Sequence, residues 1–210
     1  MEMVVAVAVL ILFFGIAFAV LLPVLAYLSP AQAKINTQEN AVPLLYKLQR
    51  EVRESDYRAM YAVVSGSTQP LTSVSSFTDV TTFAVATAKT GTAGAACSPG
   101  GDFQTVPSAG TPYWQGFDVF MLQNAALKCV YEPLGTPQII WSDIHTSDAS
   151  SAITTAQTVA NPPIFGNAVL DIKLETDPTA YVADFQIKAV STVNGRSNET
   201  TYTEDILTRD

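Results

Sequence analysis

Residues 3–33 contain no Asp, Glu, Lys, Arg or His, and Val, Ala, Leu, Ile and Phe make up most of them. An uncharged apolar run of that length exceeds the roughly 20 residues a helix needs to cross the hydrocarbon core of a bilayer. A free copy of this chain therefore belongs in a membrane. The next stretch has another character. Leu44, Leu45, Leu48, Val52, Ala59, Met60 and Val63 fall mostly at steps of three, four or seven among Lys47, Arg50, Glu51, Arg53, Glu54 and Arg58. One apolar stripe on a charged helix is the pattern of a helix that packs one face onto a folded body.

These two stretches divide the chain into three expected parts: a hydrophobic stalk over 1–30, an amphipathic continuation of the same helix over 31–64, and a head over 65–210. The head is long enough for one domain of ordinary size. A net charge of -8 and few basic residues argue against a phosphate-binding surface, so nucleic acid is not expected as the main ligand. Cys97 and Cys129 both lie in the head. An even count outside an exporting segment predicts a disulfide formed after export, which the chain-entropy model values at roughly 3–4 kcal/mol for a loop of this length. With one histidine and no second cysteine pair at ligand spacing, no metal site is expected.

The start of the chain, Met-Glu-Met, lacks the basic region of a secretory signal, and the apolar run is longer than a signal carries. Lys34, Lys47, Arg50 and Arg53 follow the span. Read alone, they place the head in the cytoplasm; a basic leader removed upstream would reverse that orientation. Pro23 and Pro30 each remove a backbone donor, so the stalk is expected to be kinked or partly melted near them, with Gly15 as a weaker point of flexibility. Pro43 either kinks the second half or marks its start, with Asn40 as a cap.

An acidic residue at the start, a Val/Ala/Leu/Ile-rich helix, a proline about twenty residues in, and the phrase Tyr-Lys-Leu-Gln-Arg-Glu-Val-Arg-Glu-Ser-Asp over 46–56 together resemble the N-terminal segment of processed type IV pilins and type II secretion pseudopilins. The resemblance covers the first 60 or so residues well and the head only in pattern. It implies an α+β fold, with the long helix packed on an antiparallel β-rich head, and a non-enzymatic structural subunit. Such subunits sit in the cytoplasmic membrane before assembly machinery moves them into an extracellular helical filament, a homo-polymer held by its stalks. It also implies that Glu2 engages a neighbouring subunit's amine, although in the family that glutamate is normally the fifth residue after cleavage and here it is the second. The alternative placement of Glu2 is at the headgroup level or near the positive end of its own helix. A minor or tip pseudopilin and a single-pass anchored ectodomain are the other functional readings.

In the head, short β-type patches are expected at 77–80 and 82–87, a crosslinked loop at 90–101, and strands at 117–123, 127–132 and 138–144. A loop or short helix follows at 145–160. Val169, Asp171, Lys173 and Glu175 alternate with Leu170, Ile172 and Leu174, and a second alternation runs from Tyr181 through Ala183, Phe185, Ile187 and Ala189. Asn194-Gly195 then predicts a tight hairpin into 200–208, closing a C-terminal antiparallel meander of at least three strands. Chemistry is sparse. Asp143, His145 and Asp148 lie near serines, a solvated loop being the simpler reading. Asp171, Glu175 and Asp177 read as a charged strand face and turn before they read as a Ca²⁺ site. Trp114 and Trp141 read as core or subunit contacts before a glycan or peptide groove, and Asn198-Glu-Thr is a formal glycosylation sequon. No cofactor is expected.

Overall fold

The computed structural model describes residues 2–97, 102–177, 182–193 and 195–208, without the side chains of 2, 4, 5, 25–27, 29 and 196. The first 52 of these form one helix, α1 (Glu2–Arg53), which is helical through Pro23, Pro30 and Pro43. The expected melted section near Pro23 and Pro30 is therefore not observed. Each proline costs one hydrogen bond, at the carbonyls of Ala19, Ala26 and Glu39, but the turns on either side are built from good helix formers and hold the segment helical.

The helix also ends earlier than its apolar spacing predicts. It stops at Arg53, not near 64: Ser55 and Asp56 break it, residues Tyr57–Ala59 form a 3₁₀ turn capped by the Asp56 carboxylate, and Met60–Val64 is the first strand, β1. Ala59, Met60 and Val63 thus continue the helical spacing by coincidence. Met-Tyr-Ala-Val-Val has a composition that strands accept, and its pairing with residues 67–70 and 83–85 decides the outcome.

Among the described residues, two antiparallel sheets make up the body of the head. The larger has the order β2 (Ser67–Pro70), β1, β4 (Thr82–Thr87), β5 (Trp114–Gln123), β6 (Ala126–Gln138), β7 (Ile164–Asn167). The smaller has the order β10 (Arg196–Leu207), β9 (Val182–Val193), β8 (Val169–Asp177), β3 (Thr78–Asp79). The C-terminal meander is present, and the Val193 to Arg196 pairing leaves a two-residue turn in which Gly195 has φ of +75°. Tyr181 and Asn194 lie outside the described residues. Asn124 and Ala125, both at positive φ, form the equivalent turn between β5 and β6. The 65–70 segment, which reads as a breaker, is a tight turn followed by a short edge strand. Residues 139–144 are a bend and a 3₁₀ turn instead of the expected third strand, while the polar 145–160 segment contains a helix, α2 (Thr146–Gln157).

The two faces of the larger sheet bury different partners. Phe83, Val85, Phe120, Leu127 and Cys129 join Ile172, Leu174, Phe185 and Ile187 of the smaller sheet and Leu44, Leu48 and Val52 of α1 in one core. Ala84, Ala86, Phe117, Val119 and Met121 meet Ala149, Ile153 and Ala156 of α2 in a second. Every residue of β4 is buried because both its faces are covered. A register shift between Val169 and Asp171 turns Val169 inward and leaves Leu170 exposed, the reverse of a simple alternation over those two residues.

Candidate functional site: an exposed stalk seated on a buried ion cluster

The most unusual surface is the helix outside the head. Ala6–Val24 is long and apolar enough to cross a membrane, and none of it is buried. Fourteen large apolar side chains from Val7 to Leu28 are each at least half exposed. Burying them would contribute, at about 1.5 kcal/mol or more each, on the order of 20 kcal/mol. A segment with that composition fits a membrane anchor or a signal sequence. Gly15 lies in this stretch with no atom near its Cβ position, and Pro23 and Pro30 are exposed. Glu2 is the first helical residue; its side chain is outside the described part.

The lower half of α1 is seated firmly. Its buried face begins at Ala33 and runs through Thr37, Ala41, Leu44, Leu48 and Val52, a longer stripe than the large apolar residues alone reveal. The small residues at its upper end let β9 and β10 approach. Thr37 Oγ1 donates to the Ala33 carbonyl at 2.8 Å and faces Asn198 Nδ2 at 3.4 Å, and Gln49 Nε2 donates to Glu204 at 3.2 Å. Asn198 of the sequon is accordingly half-buried against the helix, not on an open strand. Gly166 of β7 lies where a Cβ would come within 2.5 Å of Leu44, so glycine there is what lets the strand touch the helix.

At the base of α1 the apolar face gives way to charge. Lys89, which follows β4, places its Nζ 2.7 Å from Glu51 and 2.5 Å from Glu54, and Arg50 reaches the other oxygen of Glu51 at 3.3 Å. The Lys89 and Glu51 side chains are only 5% and 2% exposed, so this is a buried pair. Burial opposes the Lys89 charge, but the hydrogen bonds and charges of Glu51 and Glu54 outweigh it and raise its pKa. Asp118 of β5 faces the same cluster. Burial, then Glu51 and Glu54 against the opposing charge of Lys89, push its carboxyl up to about 8. Beside it Tyr131 packs so tightly that a Cβ on Gly91 or Gly116 would come within 2.7 Å of its side chain.

The disulfide is formed: Cys97 and Cys129 are joined with Cα atoms 5.4 Å apart, tying the loop after β4 to β6. An Asp118 carboxylate oxygen and the two sulfurs lie within 4.8 Å of one another, but sulfurs bonded to each other are not metal ligands.

The remaining sequence candidates are dispersed. His145 is exposed before α2, and the Asp148 carboxylate accepts from its backbone N–H at 2.8 Å, a capping role. Asp143 sits exposed in the preceding 3₁₀ turn. Trp114 is buried in the second core, while Trp141 is half-buried with the Arg58 guanidinium 4.5 Å above its ring. Asp171 and Glu175 lie on the outer face of the smaller sheet, opposite Lys188 and Asp184, and Asp177 ends that strand. No known protein family, characterised protein or solved structure matches the chain.

The same outer face carries a titrating group that the sequence reading missed. Asp184 is paired across the strands with Asp205 on one side and Glu175 on the other. Partial burial, followed by Asp205, Glu175 and Asp177, raises its pKa to about 6. The folded state then holds a proton there that the unfolded state releases, so this group favours folding more as pH falls from about 7 toward 4. Asp184→Asn should flatten that part of the stability-pH curve in urea titrations and raise stability more at pH 8 than at pH 5. The signal in the sequence was the alternation itself, which aligns Glu175, Asp184 and Asp205 once the register is known.

Proposed function

We propose that this chain is a structural subunit that polymerises through its N-terminal helix into an extracellular filament of the type IV pilus kind, held in the cytoplasmic membrane before assembly. One observation carries the reading: an apolar span with no buried residue is continuous with a helix locked onto the head along its lower half. A stalk so built is presented rigidly for packing, and stalks from many copies would shield one another from water as the bilayer does. At its base, Lys89 of the head is paired with Glu51 of the helix and Glu54 just beyond it, which fixes the helix against the head at the point where load would pass between them. The resemblance of the first 60 residues to processed pilins agrees with this arrangement.

The test is a cysteine at Ala17, in the exposed span, in cells producing the protein. Mild oxidation should give crosslinked dimers, and sheared surface material should show filaments by electron microscopy that contain this chain. A chain that stays monomeric, with its span in lipid and its head free, would replace this reading with that of a single-pass anchored ectodomain.

A further inference from the structure

The Cys97–Cys129 bond has two neighbours that a purely structural crosslink does not require. Its cysteines line a cavity of about 230 Å³ whose wall also includes Lys47 of α1, Ala96, Pro163 and Phe165. The carboxyl of Asp118, which is not part of that wall, approaches both sulfurs to within 4.8 Å. Asp118 is 2% exposed, and its Oδ1 has no hydrogen-bond partner. An unpaired buried carboxyl costs stability in the disulfide form. Opening the bond would bring a partner to this carboxyl, because a thiol can donate to a carboxylate oxygen and a thiolate can accept a carboxyl proton.

We propose that Cys97–Cys129 is an exchangeable bond, opened by a dithiol that enters through the cavity beside Lys47, with Asp118 transferring the proton. A thiolate of the dithiol attacks one sulfur and forms a mixed disulfide. The S–S electron pair leaves on the other cysteine, whose sulfur takes the proton of Asp118, directly as the sulfurs separate or through one water. The second thiol of the reagent, having lost its proton to solvent, then displaces the remaining cysteine, which is protonated from solvent as Asp118 is recharged. The dithiol becomes a cyclic disulfide and the chain gains two thiols and two electrons. In reverse, an incoming disulfide oxidises the thiols while the Asp118 carboxylate accepts the proton.

Local architecture suits a bond that opens without unfolding. The loop carrying Cys97 is also held to β6 by backbone hydrogen bonds, Gly94 N–H to the Tyr131 carbonyl at 3.0 Å and Tyr131 N–H to the Ala95 carbonyl at 2.9 Å. These remain when the sulfurs part. Lys47, exposed at the cavity, favours an incoming thiolate. Burial first, then Glu51 of α1 and Glu54 just beyond it, against the opposing charge of Lys89 after β4, leave the Asp118 carboxyl mainly protonated at neutral pH, and Tyr131 of β6, whose own pKa Asp118 helps to raise, faces it as a neutral phenol.

The test measures reduction of the full-length chain by dithiothreitol from pH 5.5 to 9.5, with free thiols counted by alkylation and mass spectrometry and rates expressed per dithiothreitol thiolate. The wild type should react fastest per thiolate below about pH 8 and lose about tenfold above it. Asp118→Asn, checked by circular dichroism for an unchanged fold, should be slower at pH 7 by about tenfold and show no break. Superimposable profiles for the two proteins would overturn the proposal. If the variant does not fold, the wild-type profile decides alone, and one without a break near pH 8 overturns it.

Discussion

A chain lacking residues 2–32 will be a soluble monomer, and its head will unfold at nearly the temperature of the intact protein. The removed residues include the entire span Ala6–Val24, none of which touches the head, while the seated stripe beginning at Ala33 is kept. Their loss should change the unfolding free energy by less than about 1 kcal/mol, since stability follows the contacts removed. Solubility should change much more, because fourteen large apolar side chains no longer need cover. Sedimentation of the two chains without detergent, together with thermal melts of the shorter one, checks both halves of the expectation. If the shorter chain melts far below the longer, the span supports the head in a way its exposure does not reveal. A gentler variant, Leu12→Arg, should leave the head intact and hinder membrane insertion by about 3 kcal/mol for a central charge.

Lys89→Ala should be the most damaging single substitution at the helix base. It leaves Glu51 in a site where its side chain is 2% exposed, with Arg50 at 3.3 Å as the remaining cation among its described partners. Removing one partner of a buried pair typically costs about 3–5 kcal/mol. For a protein of this size that is a fall of about 10 °C in melting temperature. The loss would also remove the positive charge that holds the Asp118 pKa down, so the variant's stability should become more sensitive to alkaline pH. Lys89→Met combined with Glu51→Leu should recover most of the loss, because the cost lies in the uncompensated charge, not in the absence of an ion pair. Calorimetry of the single and double variants separates the two explanations: equal melting temperatures would show that packing, not charge, sets the cost.

Much of this was legible from the sequence because it rests on local, periodic signals. The uncharged run marked the span; Leu44, Leu48 and Val52 marked the seated face. The alternation in 182–189 and the Asn194-Gly195 turn marked the terminal meander, and two cysteines in the head marked the crosslink. Each is a pattern of neighbours along the chain, where helix and strand geometry alone fixes which residues share a face.

What the sequence could not supply was decided by partners distant in the chain. Whether 57–64 continued the helix or began a strand depended on pairing with β4, and the helical spacing of Ala59, Met60 and Val63 carried no information about that choice. The division of the strands between two sheets, with α2 on the far side of one, came from which faces found apolar cover. Glu51, Lys89 and Asp118 are far apart in sequence and read as ordinary surface charges; only the docking of α1 onto β4 and β5 removes water from all three together. Water withdrawal and proximity create their electrostatics, and both are properties of the assembled fold. The span itself needed no tertiary structure to be recognised, since its incompatibility with water is fixed by composition.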